Sequence, residues 1–151
     1  MNFASDNTTG ASPQIIDAIV RTSEGQCMSY GDDAYTKRVC ERICEVFETD
    51  ADVYLVATGT AANALSLSVL MNNFGATLCH WGSHVYEDEC GAPEFFSGGG
   101  KLIPIEGKNG KMLPETISHF AGRGIGDVHM SQPQAISITQ ETETGSVYSL
   151  N

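Results

Sequence analysis

Ala57-Thr58-Gly59-Thr60-Ala61-Ala62-Asn63 is the stretch that decides how the rest of this chain is interpreted. Strand-forming residues 53–56 precede it, and an apolar helical run, residues 61–70, follows it. A strand that leads through a Gly/Thr loop into a helix directs backbone N–H groups and the positive end of the helix dipole at one point. Because the glycine has no side chain, an anion can approach closely. The stretch therefore predicts a phosphate site at Thr58, Gly59 and Thr60. The alternative is a plain turn in which a threonine hydroxyl only caps the helix.

The composition predicts one soluble globular domain. With 151 residues, 41% of them hydrophobic and 18% charged, the chain can form a core and is too apolar for a disordered protein. The 19 acidic and 8 basic residues give a net charge of −11, which argues against binding to nucleic acid or to an anionic membrane. No apolar run approaches the length of a membrane span. We expect a cytoplasmic protein, and small anions remain possible ligands through local N–H groups.

The five cysteines predict neither a disulfide framework nor a metal site. Their number is odd and their spacing matches no metal signature, so buried thiols in a reducing cytosol are expected. Four side chains have the atoms that zinc prefers, but not the spacing of a known zinc finger: Cys79, His80, His84 and Cys90. We therefore predict that the chain has no metal site.

Alternating helical and strand patterns predict an α/β domain with a mostly parallel sheet and helices on both faces. A first helix is expected to start at Pro13, and its buried stripe would be Ile15, Ile16, Ile19 and Val20. A second helix, with apolar residues between 39 and 47, would be capped by Asp32 or Asp33. Beyond the central loop, strands are expected at residues 77–79, 102–105 and 135–139, and a short helix at 114–120.

Two further observations concern what the chain lacks. The lysines are Lys37, Lys101, Lys108 and Lys111. None has the apolar surroundings that make an amine a nucleophile at neutral pH, so all four are expected at the surface. The chain also ends just after a strand and a turn, without a covering helix, and we expect it to be a fragment.

Four motifs together resemble the N-terminal portion of low-specificity threonine aldolases, in the family of threonine aldolases and aromatic amino-acid β-eliminating lyases. They are Ser5-Asp6-Asn7-Thr8-Thr9-Gly10, Tyr30-Gly31-Asp32-Asp33, residues 58–63, and His84 followed by Glu89-x-Gly91. The resemblance covers essentially all 151 residues. It implies the aspartate aminotransferase-like fold of pyridoxal-phosphate enzymes (fold type I). Residues 1–151 would form the N-terminal segment and the first part of the large, cofactor-binding domain.

The resemblance also implies roles for single residues. The loop of Thr58, Gly59 and Thr60 would hold the phosphate of pyridoxal 5'-phosphate, in agreement with the phosphate site predicted above. His84 would stack on the pyridine ring and is the candidate catalytic acid/base. Ser5 would lie near the substrate carboxylate, and Tyr30 would line the site.

Two positions depart from the family pattern. Asp88 stands where these enzymes often carry an aromatic residue. Glu143 stands in place of a histidine thought to contact the substrate hydroxyl, and a carboxylate can also accept that proton. The substrate range and the stereochemistry are therefore left open.

The activity implied by the resemblance is cleavage of a β-hydroxy-α-amino acid such as threonine to glycine and an aldehyde. The lysine that bonds the cofactor, the aspartate that pairs with its ring nitrogen and the small C-terminal domain would lie outside these residues. The isolated chain is therefore expected to be inactive, and the complete protein is expected to be a homodimer or homotetramer. The alternatives are β-elimination or transamination on the same fold, and a non-catalytic α/β module that binds a phosphorylated small molecule.

Overall fold

The computed structural model describes residues 8–150 of the chain. They fall into two compact units, one ending at Tyr54 and the other beginning at Leu55. None of the helices described is long and apolar enough to cross a membrane. Ser5, a predicted substrate residue, lies outside the described residues.

The first unit is helical. Helix α1, Pro13–Thr22, starts at the predicted proline, and helix α2, Ala34–Phe47, follows. The predicted burial of the α1 stripe is wrong, because its four residues are 48–59% exposed: Ile15, Ile16, Ile19 and Val20. A helical pattern shows which face is apolar but not what covers it. No described residue of this unit buries that face.

Asp33 caps α2, which decides between the two caps predicted. Its Oδ1 accepts a hydrogen bond from the Thr36 backbone N–H at 2.8 Å, and its Oδ2 accepts one from the Thr36 hydroxyl at 2.7 Å. Both bonds favour the ionised carboxylate. The Thr36 hydroxyl and then the Thr36 N–H therefore lower the pKa of Asp33 below its ordinary value of 3.8.

We expect acid to weaken the start of α2. A lowered pKa means that the cap stabilises the folded chain fully above the ordinary value and loses this effect as the pH falls through the folded-state pKa. Asp33→Asn can still cap but does not titrate. The helical circular dichroism of this variant should therefore fall less than that of the parent between roughly pH 5 and pH 2. Asp32→Asn is the matched control and should keep the acid transition of the parent. Equal transitions in Asp33→Asn and the parent would contradict this account.

The second unit is a three-stranded parallel sheet covered by helices. Its strands are β1 (Gly75–His80), β2 (Lys101–Ile105) and β3 (Gln132–Ile136), in the order β2-β1-β3. Its helices are α3 (Gly59–Leu70), α4 (His84–Glu87), α5 (Ala92–Phe96) and α6 (Pro114–Ala121), with a 3-10 turn at Lys108–Gly110. All six residues of β1 are buried, as is typical of a central parallel strand.

Consecutive residues of β1 contribute to two separate cores. Cys79 packs in a cluster with Leu67 and Met71, at the C-terminal end of α3. Leu78 packs in a second cluster, which includes Ile117 of α6. Because side chains alternate along a strand, the two clusters lie on opposite faces of the sheet. The predicted arrangement of helices on both faces is confirmed for this unit.

Two strand predictions are wrong. Residues 53–56 are irregular, because a strand needs a partner and no described strand pairs with this segment. The strand predicted at residues 135–139 lies at Gln132–Ile136. It pairs with β1 through an irregularity that accommodates Pro133 and leaves Gln134 without a partner in the register.

The expectation of buried thiols holds for only one cysteine. Cys79 is fully buried, and burial raises the pKa of its thiol to about 11, so it is a poor nucleophile. Cys40 and Cys44 are half-buried, whereas Cys27 and Cys90 are exposed. All five thiols are free.

Candidate functional site

The predicted phosphate loop forms the start of α3. Thr58 is the N-cap, and its hydroxyl oxygen accepts a hydrogen bond from the Ala61 N–H at 3.1 Å. Capping uses the oxygen as an acceptor, so the hydroxyl hydrogen can still be donated. Within the described part of the chain, the N–H groups of Gly59 and Thr60 have no acceptor. A β-carbon built at Gly59 would meet no atom within 4 Å, so these donors are open to an anion.

His84 lies beyond the carboxyl end of the central strand. It is the first residue of α4, four residues after the end of β1, and its side chain is 51% exposed. Its backbone N–H donates to Oε1 of Glu143 at 3.0 Å. The structure therefore brings together two predicted site residues that are 59 positions apart in sequence.

A buried carboxylate joins His84 to the first turns of α3. Oε1 of Glu89 lies 2.9 Å from Nδ1 of His84 and accepts a hydrogen bond from the Asn63 side-chain amide at 2.6 Å. The Glu89 side chain has no solvent exposure. We call Asn63, Glu89 and His84 the polar triad. It joins the predicted catalytic histidine to helix α3, which begins at the phosphate loop.

The backbone after Glu89 explains its position. Cys90 and Gly91 both have left-handed conformations, with φ of 52° and 73°, and the Ala92 N–H donates to the Glu89 carbonyl at 2.9 Å. This reversal leads directly into α5, which packs against α3. The Glu89 side chain is thereby directed at Asn63. The motifs quoted above contain both residues, but the sequence predicts no role for either, because four residues separate Glu89 from His84 and no local pattern shows that the two side chains meet.

His80 has a structural role. Its Nδ1 accepts a hydrogen bond from the Gly82 N–H at 3.0 Å, and its Nε2 lies 3.0 Å from the Gly107 carbonyl oxygen. Both ring nitrogens are therefore bonded to backbone groups. Within the described part of the chain, no group of three or more His, Cys, Asp or Glu side chains could hold a metal ion.

The site is an open surface. A cavity of about 10 Å³ next to Glu143, lined also by His80, Ser83 and Tyr148, has room for roughly one water molecule. An amino acid would not fit there. A larger ligand near His84 would therefore lie outside this cavity.

Of the other predicted substrate residues, Tyr30 lies in the first unit, where its side chain is fully exposed and its φ is 60°. The roles predicted for Tyr30 and Ser5 stay predictions. The four lysines are at or near the surface: Lys37, Lys101 and Lys108 are exposed, and Lys111 is half-buried.

Known proteins resemble this chain along nearly its whole length. Two curated relatives are both named low specificity L-threonine aldolase. The one from Pseudomonas sp. is 42% identical over 146 residues, and the one from Pseudomonas aeruginosa is 40% identical over 146 residues. Both matches cover 97% of this chain. The chain spans 42% of the length of each relative.

A solved structure of the threonine aldolase of Leishmania major matches the fold with a TM-score of 0.87 and 28% identity. The match covers 97% of this chain and 42% of that protein. The predicted aspartate aminotransferase-like fold is confirmed by this match. The family model described as beta-eliminating lyase matches residues 2–151. The chain therefore belongs to the beta-eliminating lyase family.

Proposed function

We propose that this chain contributes the phosphate-binding and ring-stacking part of the active site of a pyridoxal-phosphate-dependent threonine aldolase. The observation that carries the proposal is the polar triad, which joins α3, whose open start is Thr58–Thr60, to His84 through buried Glu89. A phosphate loop and an aromatic base held together in this way suit a cofactor with one phosphate and one flat ring. The names of the relatives support the aldolase reaction.

The residues at the start of α3 fit the cofactor phosphate. The N–H groups of Gly59 and Thr60 and the hydroxyls of Thr58 and Thr60 would donate hydrogen bonds to it, and the dipole of the 12-residue helix would add to the attraction. His84 would pack against the ring, because its imidazole is half exposed while the buried Glu89 holds it in place.

Pyridoxal phosphate, when bound, supplies an electron-accepting ring that stabilises the negative charge left when the bond between Cα and Cβ of the substrate breaks. The residues of this chain would handle the protons. Glu143, whose Oε1 is bonded to the His84 backbone, would accept the proton of the β-hydroxyl through its carboxylate. His84 would exchange a proton at Nε2, which has no partner within the described residues. The second candidate reaction is β-elimination, which the family description favours, and release of glycine instead of a keto acid and ammonia decides between them.

The rest of the site would come from outside this chain, since none of its lysines has a setting for bonding the cofactor. We also propose that the complete enzyme works as a homodimer or homotetramer. Sedimentation of that enzyme would test the assembly.

Activity is best tested in a chimera in which this chain replaces the matched 146 residues of the Pseudomonas sp. relative. We call it the chimeric enzyme.

Replacing Thr60 with valine should weaken retention of pyridoxal phosphate by the chimeric enzyme. The change keeps the size of the side chain but removes a hydroxyl that would donate to the phosphate, so the expected loss is about 1–3 kcal/mol. Equilibrium dialysis measures the affinity for pyridoxal phosphate. Pyridoxal, which lacks the phosphate, is the comparison ligand. Thr60→Ser should restore most of the affinity, and Thr116→Val, on α6, should leave it unchanged. If Thr60→Val and the parent bind the cofactor equally, this loop does not hold the phosphate.

A further inference from the structure

The carboxylate of Glu89 has no access to water and is engaged through one oxygen. Its side chain is 0% exposed, and Oε1 receives both the Asn63 amide and Nδ1 of His84. Its other oxygen, Oε2, has no hydrogen-bond partner within the described residues. A carboxylate buried in this way is costly unless its bonds are strong, which indicates that the contact with His84 matters to the fold or to the site.

The chemistry of the two groups decides which of them donates the hydrogen bond between Glu89 and His84. An ionised carboxylate only accepts hydrogen bonds, so the proton between Glu89 and His84 has to reside on Nδ1. In a neutral imidazole, the other nitrogen, Nε2, is then unprotonated. Asn63 donates to the same oxygen and limits the directions in which Oε1 can move.

We propose that Glu89 is a positioning residue that fixes His84 in the tautomer with its proton on Nδ1, so that Nε2 faces the open site as a proton acceptor. The hydrogen-bonding claim stands on this chain alone, whereas its catalytic consequence rests on the proposed function. Glu89 would not touch the reacting atoms. It would act by deciding which nitrogen of His84 can take a proton.

His80 provides an internal reference with the opposite tautomer. Its Nδ1 accepts from the Gly82 N–H, so its proton has to reside on Nε2, which donates to the Gly107 carbonyl oxygen. The two histidines lie only four residues apart, yet one tautomer is set by backbone groups and the other by a carboxylate.

The test is magic-angle-spinning NMR of this chain labelled with ¹⁵N-histidine, which reads the protonation of each ring nitrogen whether or not the chain associates. The sample is kept at about pH 8, where an ordinary histidine is neutral. The chain has four histidines, and the signals of His84 are those lost in His84→Phe. We expect a protonated Nδ1 and an unprotonated Nε2 for His84, and the reverse for His80.

Glu89→Leu removes the acceptor at a similar side-chain size and should move most of the His84 proton to Nε2. Glu89→Gln keeps an acceptor oxygen and should retain more of the Nδ1 tautomer than Glu89→Leu does. Glu87→Gln, which removes an exposed carboxylate on α4, should leave both His84 and His80 unchanged. In the chimeric enzyme, Glu89→Leu should lower kcat by about 10–100-fold with little change in KM, and Glu89→Gln should lower it less.

A proton found on Nε2 of His84 in the parent chain would overturn the proposal, and so would a tautomer ratio that Glu89→Leu leaves unchanged. A normal kcat in the chimeric enzyme carrying Glu89→Leu would remove the positioning role. Failure of the proposed function would look different. The chimeric enzyme would then neither retain pyridoxal phosphate nor release glycine, while the NMR spectrum of this chain would still show the tautomer of His84.

Discussion

Replacing His84 with alanine in the chimeric enzyme is expected to lower kcat for threonine cleavage by about 10²–10⁴-fold, the usual effect of losing a general acid or base. His84→Phe should lose a similar part of the rate but keep much of the cofactor affinity, because a flat aromatic side chain can stack but cannot exchange a proton. Glycine release measures the rate, and the absorbance of the bound cofactor reports the stacking.

His119→Ala is the control for this pair of variants. His119 is an exposed residue of α6, so its loss should leave both measurements unchanged. The comparison of His84→Phe with His84→Ala separates stacking from proton exchange. If His84 only stacked, phenylalanine would preserve both the rate and the cofactor affinity. If His84→Phe and His84→Ala both behave like the parent, the assignment of His84 to the site is wrong.

The second large effect concerns the chain by itself. Incubated with pyridoxal phosphate and reduced with borohydride, it is expected to give no stoichiometric adduct on one lysine and no glycine from threonine. Lys37, Lys101 and Lys108 are exposed, and Lys111 donates to the Val147 carbonyl oxygen at 3.2 Å. Surface amines without apolar surroundings react weakly and without selectivity.

Peptide mapping after reduction decides this point. The same treatment of the chimeric enzyme should give one dominant adduct on a lysine of the relative's portion, which shows that the procedure detects a true cofactor lysine. One stoichiometric adduct on any lysine of this chain, together with glycine release, would contradict the expectation and would place the complete reaction within these 151 residues.

The features predicted correctly from the sequence depend on neighbouring residues. Pro13 begins α1 and Asp33 caps α2, and both signals act within three residues of their own position. The positions of the buried strand β1 and the partly buried strand β2 are also predicted, because short apolar runs between turn signals are visible without knowledge of the fold.

The errors concern features that depend on distant partners. The contact of Asn63 with Glu89 spans 26 positions, and no local sequence pattern indicates it. Residues 53–56 have strand-forming side chains but no described neighbour with which to pair. The limits of β3 follow from its register with β1 and not from its own hydrophobicity. The roles of Ser5 and Tyr30 rest on the family resemblance alone.

The strand order affects how this protein folds while it is being synthesised on the ribosome. The central strand β1 is made before both of its neighbours, β2 about 20 residues later and β3 about 50 residues later. At about 5–20 residues per second, one edge of β1 stays unpaired for roughly 3–10 s after the strand is made. An unpaired apolar edge invites pairing with other nascent chains. Slow codons between β2 and β3 would prolong this interval, so the yield of folded protein should depend on translation speed there as well as on the amino-acid sequence.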